Sequence, residues 1–456
     1  MDGDPVLTEP ARTIPVVCEA DVVVVGGSCT GVFAAIRAAR LGYSAVVIER
    51  HNAFGGVATA ACVNIWHSLQ DTQYERTIIA GLTREVIDRL QRRGAVVQFE
   101  EDLDAFRLNT EELKIELDEL VTAHRITPFL NTFYAAPVLE DGRLTAVIIE
   151  NKNGRQAVRG RMFIDATGDA ALSLHLGLPM LRPDSLQPPT TCAKIAGLST
   201  LRRPGQPRFD WQAAVREHGA EFGLVRDWGW GTTIPGLEDI QMRADTHVFG
   251  GDTSDGDWLT WAEMEGRRQV RAIMDVIRKY GPSDQAVALV DLAASIGARE
   301  TRRIACRYRI TEDDVLNGRR FDDAVANGSY RVDIHHADGP GITFRYLDGT
   351  EFVIEERGLP GRSGRWRDPL PEDPVFYQIP FRALLQERIP NLMLAGRMLD
   401  ADKTAFSAVR VMVNMNQTGE AAGAACALAL REGCDVQAID PAALRTLLAE
   451  GGSVVI

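Results

Sequence analysis

The sequence predicts an α/β protein in which a buried parallel sheet, laid down by both ends of the chain, is interrupted by a second, mixed α/β domain. Three observations predict it. Residues 21–50 (DVVVVGGSCTGVFAAIRAARLGYSAVVIER) run as apolar stretch, glycine turn, Ala-rich stretch and second apolar stretch. That is a strand–turn–helix–strand unit of the size of a βαβ crossover. Buried-strand signatures return at Met162-Phe163-Ile164 and after Asn391. Between roughly 198 and 374 the pattern is less regular, and that stretch holds every tryptophan except Trp66.

Each element follows from its residues. Val22 to Val25 is wholly apolar and β-branched, which suits a strand covered on both faces. Val32 to Leu41 has the composition of a helix, and Gly42 is placed to end it. Ala45 to Ile48 is the next strand, closing at Glu49. Asn131 to Gly168 reads as a small β-meander, with turns at Asp141-Gly142 and Asn153-Gly154. Trp261 to Tyr280 is helical, Pro369 to Pro380 is a connector, and Asn391 to Leu430 returns to strand, loop and an Ala-rich helix around Val411 to Ala425. GARETRRI is expected to form one or two helical turns, and Gly250-Gly251 and the GRSGRW stretch at Gly361 surface turns.

Composition narrows the class of function. The 456 residues are 45% hydrophobic and 25% charged, as in an ordinary globular protein. The formal charge of −13 argues against a nucleic-acid partner. The acidic, Pro-bearing start MDGDPVLTEP lacks the basic-then-apolar pattern of a signal peptide, and no apolar run reaches the ~18 residues of a membrane span, so a cytoplasmic protein is expected. Seven scattered cysteines (Cys18, Cys29, Cys62, Cys192, Cys306, Cys426, Cys434) include no CxxC, which removes most thiolate-metal and dithiol readings. Asp252 and Asp255 lack EF-hand spacing and no histidine pair has zinc spacing, so no metal is expected. No GxSxG follows a strand, so a serine hydrolase is unsupported.

The chemistry sits in the turns. Gly26-Gly27-Ser28-Cys29-Thr30-Gly31 approximates GxGxxG, with Ser28 in place of the middle glycine. In that fingerprint the first glycine makes the tight turn, the middle one admits a pyrophosphate to the helix N-terminus, and the last lets helix and strand pack closely. Glu49, at the end of the next strand, can accept both ribose hydroxyls of a dinucleotide. Three further segments separate FAD from NAD. Gly55-Gly56, just past Arg50, suits a loop passing under a longer cofactor. Asp165-Ala166-Thr167-Gly168-Asp169 is a turn able to close over adenosine. Gly396-Arg397 precedes a helix whose N-terminus can face the negative charge of a reduced flavin. Several segments meeting one extended cofactor form a flavin pattern.

With these residues in place the chain resembles the FAD-dependent oxidoreductase family, and more distantly the fumarate-reductase and glutathione-reductase flavoproteins. The resemblance rests on VVVVGGSCTG, the ER…GG loop with Thr59, DGRLTAVIIENKNGR, IDATGDAAL, QPPTTCAKIAGL, AEMEGRRQV, GARETRRI, VDIH and IPNLMLAGR…SAVRVMVNMNQTGEAAG. It implies a Rossmann-like FAD-binding domain of the glutathione-reductase type (16–66, 116–197 and 376–456), interrupted by a mixed α/β substrate or cap domain (67–115 and 198–375). It also implies FAD contacts at Gly26, Gly31, Glu49, Arg50, Gly55, Gly56, Thr59, Thr167, Gly168, Gly396, Arg397, Arg410 and Val411, with Gly27, Ser28 and Asp169 beside them. Two departures stand out: Ser28, and Arg397 where the glutathione-reductase relatives place a ribityl-binding aspartate. No second strand–GxGxxG–helix unit follows, so electrons are expected to pass between flavin and one substrate, then to or from oxygen, a quinone or a carrier protein.

Four residues are candidates for the reaction. Arg299 and Arg302, three apart on the expected helix of GARETRRI, can clamp a substrate carboxylate; a salt-bridged structural helix is the plainer alternative. Asp333 and His335 fall on one face of the strand-like VDIHH, a carboxylate-oriented imidazole suited to a general base. His67, shortly after the Gly55-Gly56 loop, is a candidate base, substrate ligand or covalent flavin anchor, and equally a packed histidine. The expected activity is an FAD-dependent dehydrogenase or oxidase acting on a small polar molecule. A reductase of an activated alkene with Arg302 as proton donor comes second, a flavin monooxygenase third, and a non-enzymatic binding module last. A homo-oligomer remains open.

Overall fold

The computed structural model describes residues 6–99, 105–202, 207–225, 229–282, 286–356 and 359–456; the first five residues of the acidic start and Trp228 lie outside them. A seven-stranded sheet carries the fold. Its strands are β1 (Val16–Val25), β2 (Ala45–Ile48), β3 (Thr127–Phe129), β4 (Phe133–Glu140), β5 (Arg143–Asn151), β6 (Gly154–Asp165) and β7 (Leu392–Leu394). β3, β2, β1 and β6 lie side by side in parallel, and β7 adds in parallel to the last residues of β6. The first half of β6 instead pairs antiparallel with β5, and β5 with β4, giving the expected meander. The registers Val25↔Ile48, Val25↔Asp165 and Leu394↔Asp165 bring the carboxyl ends of β1, β2, β6 and β7 level.

The unbroken valine run of β1 is explained by burial on both faces. Val22 and Val24 enter the core under the helices, while Val23 and Val25 enter a second core on the opposite side. The helical side is built by α1 (Cys29–Arg40) and α3 (Met412–Glu432), with α2 (Gly256–Tyr280) lying between them in the chain. α1 and α3 meet backbone against backbone. A Cβ at Gly419 would stand 2.0 Å from the Thr30 carbonyl oxygen, and one at Gly423 would stand 2.1 Å from that of Ala34. At the same contact Arg37 and Glu420 form a fully buried ion pair. Glu420 Oε1 also accepts from the Leu82 N–H at 3.0 Å, and Arg37 donates to the Gly451 carbonyl at 2.9 Å.

The rest of the chain forms smaller antiparallel sheets. Strands 230–234, 237–244, 193–196 and 288–292 make a four-stranded sheet covered by α2 through Val270, Ile273, Met274 and Ile277. Strands 332–335, 342–345, 350–354 and 362–365 make another, and 65–66, 105–108 and 96–99 a three-stranded one. The helix Gly81–Arg92 buries Leu82, Val86, Ile87 and Leu90 in the core shared with α1 and α3.

Several expectations need correction. GARETRRI is not helical: residues 298–302 form no regular element and Arg303–Ile304 is a strand. Gly297 bridges to Thr190, Arg299 donates to the Pro188 carbonyl and Arg302 to that of Asp169, so tertiary hydrogen bonds override the local helical pattern. Arg362–Arg365 is an exposed edge strand rather than a turn, and the connector ends in a buried strand, Tyr377–Pro380, paired with 324–328. The loop before α3 contains a short helix, Lys403–Val409, started by the Asp402 carboxylate. α2 begins at Gly256, five residues earlier than expected, where the Asp255 side chain accepts from the Trp258 N–H. Among the described residues no helix is long and apolar enough to cross a membrane.

Candidate functional site

Where the four parallel strands end level, a cleft of about 1000 Å³ opens, the position at which parallel sheets receive ligands. Its floor is the fingerprint turn. Gly26 has φ +106°, and a Cβ there would sit 2.3 Å from the Ala166 carbonyl oxygen. A Cβ at Gly31 would sit 1.9 Å from the Gly26 carbonyl oxygen, so glycine is required where helix crosses strand. Ser28 has a use of its own: it is the N-cap of α1, its hydroxyl accepting from the Gly31 N–H at 3.4 Å. Gly55 and Gly56 both have positive φ; Gly55 donates to the Gly27 carbonyl at 2.9 Å, and a Cβ on Gly56 would strike that of Ser28 at 2.7 Å.

Glu49 is buried at the end of β2. Its Oε2 accepts from the Gly27 N–H at 2.6 Å and its Oε1 from the His51 N–H at 2.8 Å. Both oxygens keep lone pairs for an incoming hydroxyl. Arg50 lines the cleft and lies 3.9 Å from Asp169. Thr167 and Gly168 line the opposite wall, where Asp165 shapes their turn. One Asp165 oxygen accepts from the Thr167 N–H and hydroxyl, the other from the N–H and hydroxyl of Ser173, and burial raises its pKa. Gly396 and Arg397 follow β7; Arg397 donates to the Ala298 carbonyl, and burial pushes its guanidinium down to about 10. Val411 is the N-cap of α3 and offers no side-chain cap, so the first N–H groups of that helix stay open beside the cleft. A cradle of glycines, a carboxylate with spare acceptors and two helix N-termini fit an extended dinucleotide.

Of the residues expected at the cofactor, Gly27, Gly31, Thr59 and Asp169 do not line the cleft. Thr59 instead tightens the Gly55-Gly56 loop by donating to the Phe54 carbonyl at 2.6 Å.

The candidate reaction residues divide. His67, His335 and Arg299 line the cleft; Arg302 does not, its Nε donating to the Asp169 carbonyl at 2.6 Å and its Nη2 to that of Ser254 at 3.3 Å. Arg299 and Arg302 therefore form no clamp. Asp333 and His335 do share a face, with His335 Nε2 3.5 Å from Asp333 Oδ1. His335 Nδ1 is buried without a hydrogen-bond partner. Burial, followed by Arg299 and the neighbouring His247, holds this imidazole well below its ordinary pKa. His67 packs on Tyr330, ring centres 4.0 Å apart, and burial with Arg331 close by pushes it down to about 3.

Two polar groups here, Tyr330 and Gln187, escape the sequence. Tyr330 donates to Asp333 Oδ2 at 2.6 Å, and Arg410 donates to the Asp333 carbonyl at 3.0 Å. Gln187 is a junction: its Oε1 accepts from the His335 N–H and from Arg410, its N–H donates to Glu300, and its Nε2 donates to Ser407. The signal for Gln187 was its place in QPPTTCAKIAGL, and for Asp165 the Asp-x-Thr turn of IDATGDAAL. Among the described residues no group of three or more His, Cys, Asp or Glu is placed to hold a metal ion.

A family model described as FAD dependent oxidoreductase matches residues 21–448. No curated protein matches. Among solved structures the chain is similar to a geranylgeranyl bacteriochlorophyll reductase-like protein from Thermoplasma acidophilum, at 11% identity over 95% of this chain and 84% of that one, TM-score 0.46. It is also similar to p-nitrophenol 4-monooxygenase from Pseudomonas putida (11% identity, 95% and 84%, TM-score 0.44) and to a myxobacterial chondrochloren halogenase (13%, 95% and 80%, TM-score 0.45).

Proposed function

The chain belongs to the FAD-dependent oxidoreductase family, and from that premise we propose that it is a dehydrogenase or oxidase moving hydride between a small polar organic substrate and N5 of FAD. Bound FAD supplies the two-electron chemistry; the protein binds, orients and handles the proton. Glu49 would hold the ribose, and Gly26 with the first turn of α1 the pyrophosphate. Arg397 and the Gly55-Gly56 loop would hold the middle of the cofactor, and the open N-terminus of α3 its anionic ring edge. We assign the sheet to the glutathione-reductase type. The segments 16–66, 116–197 and 376–456 would carry the cofactor, and 67–115 and 198–375 the substrate side, although the helix Gly81–Arg92 packs with the former.

His335 is the proposed base, and one observation carries this reading: a neutral imidazole beside a carboxylate lines the same cleft as the fingerprint turn. Asp333 Oδ1, 3.5 Å from Nε2, would orient the ring, and the imidazole would take the proton of a substrate O–H or N–H as hydride leaves the adjacent carbon. Tyr330 and Arg410 hold Asp333 in place. The alkene-reductase alternative finds no support in Arg302, both of whose hydrogen bonds go to carbonyls outside the cleft. Oxygen, a quinone or a carrier protein would reoxidise the enzyme.

The test is the rate at which a reducing substrate bleaches the bound flavin without oxygen. His335→Asn is expected to slow bleaching by roughly 10²–10⁴-fold at unchanged flavin content. Bleaching at the wild-type rate would remove His335 from the mechanism.

A further inference from the structure

The cleft is cationic in an acidic protein. Among the described residues six arginines line it against two carboxylates, Glu49 and Asp333, while the chain carries −13 overall. In the reading above Arg397 falls to the cofactor and Arg410 holds Asp333, while Arg50 faces Asp169. Arg299 is turned to the Pro188 carbonyl and the Thr190 hydroxyl, and Arg331 lies over the Phe344 ring at 4.4 Å. That leaves Arg107.

Arg107 stands where two sheets meet. It sits on the strand Ala105–Leu108, donates from Nη1 to Thr233 Oγ1 at 2.7 Å across the junction, and lies over the Phe99 ring at 5.3 Å. Its Nε is buried without a hydrogen-bond partner, and no carboxylate of the described residues pairs with it. The registers Ile65↔Arg107 and Phe99↔Ala105 place Ile65, Phe99 and Ala105 on its face of the sheet, and all of them line the cleft. Trp66, Phe106 and Leu108 alternate away into the core. Cys192, Trp230 and Ala244, from the sheet that Arg107 reaches through Thr233, line the same cleft. The result is an apolar slot holding one guanidinium whose N–H groups are not all used, an arrangement that a carboxylate completes.

We infer that Arg107 anchors a carboxylate of the substrate, and that the substrate is an organic acid with an apolar, aryl-sized body lying between the Phe99 and Trp230 walls. The inference rests on the reading of this cleft as the substrate site of an FAD enzyme. It goes beyond that reading in naming a substrate class and the residue that selects it.

Calorimetric titration of the purified holoenzyme tests it, with phenylacetate and its uncharged amide, phenylacetamide, as probes. Phenylacetate is expected to bind one per chain, and phenylacetamide at least about tenfold more weakly. Arg107→Gln should weaken phenylacetate by a similar factor while leaving phenylacetamide unchanged. Thr233→Val, which only frees the guanidinium from its hydroxyl partner, gives a second variant should Arg107→Gln fail to fold, and is expected to weaken phenylacetate alone. Equal binding of acid and amide, no binding of the acid, or acid binding indifferent to both variants would overturn the inference. Flavin content, read on the same samples, reports separately on the cofactor: its loss would strike the FAD reading, and its retention with failed acid binding would strike Arg107 alone.

Discussion

Glu49 and Ser28 show how a single side chain was legible before its geometry was. Glu49 could be singled out because a carboxylate at the end of the second strand is where ribose hydroxyls arrive, and its two backbone donors then fix its direction. Ser28 looked like a defect in the fingerprint, and only the backbone reveals it as the cap of α1. Gln187 was illegible as a junction because its partners Glu300, His335, Ser407 and Arg410 all lie far off in sequence. Burial of His67 also makes the stability of the fold depend on pH. His67 titrates near 3 in the folded protein and near 6.5 unfolded. Below about pH 6.5 the unfolded chain therefore binds the extra proton. The stabilising difference is complete above that pH and is lost as pH falls toward 3. The loss by pH 5 amounts to at most about 2 kcal/mol. Urea midpoints at pH 7 and pH 5 should converge in His67→Asn relative to wild type, and an unchanged gap would contradict the assignment.

At the scale of elements, the strand–turn–helix–strand unit and the meander were legible because their signals are local: apolar runs bounded by glycine or Asp-Gly turns. GARETRRI was misread because Arg299 and Arg302 are satisfied by carbonyls of other segments, which a local helical pattern cannot register. The contact of α1 with α3 combines both kinds of information. Gly419 and Gly423 are visible in the sequence, but the Thr30 and Ala34 carbonyls they admit are not. That contact also buries Arg37 against Glu420. Glu420→Ala would leave the guanidinium buried without its counter-ion and is expected to cost about 3–5 kcal/mol, read as a shift in the denaturation midpoint. The double replacement Arg37→Met with Glu420→Leu should recover most of it. A double variant as unstable as the single one would mean that packing, not the unpaired charge, sets the cost.

The molecule as a whole places a dinucleotide-shaped floor, laid down by both ends of the chain, under walls supplied by its middle. The cofactor was legible because FAD is long enough to require several separated glycine-bearing segments in a fixed order. The substrate side was not, because antiparallel strands from widely separated parts of the chain build it and no local motif records their meeting. In the proposed reaction an organic substrate reduces the flavin directly. It is tested by following the flavin absorption of the purified holoenzyme, without oxygen, as a panel of small organic acids is added with and without NAD(P)H. At least one acid is expected to bleach the flavin with no nicotinamide present. Bleaching by NAD(P)H alone, with the acids acting only as bound effectors, would contradict it and point to an oxygen-inserting enzyme.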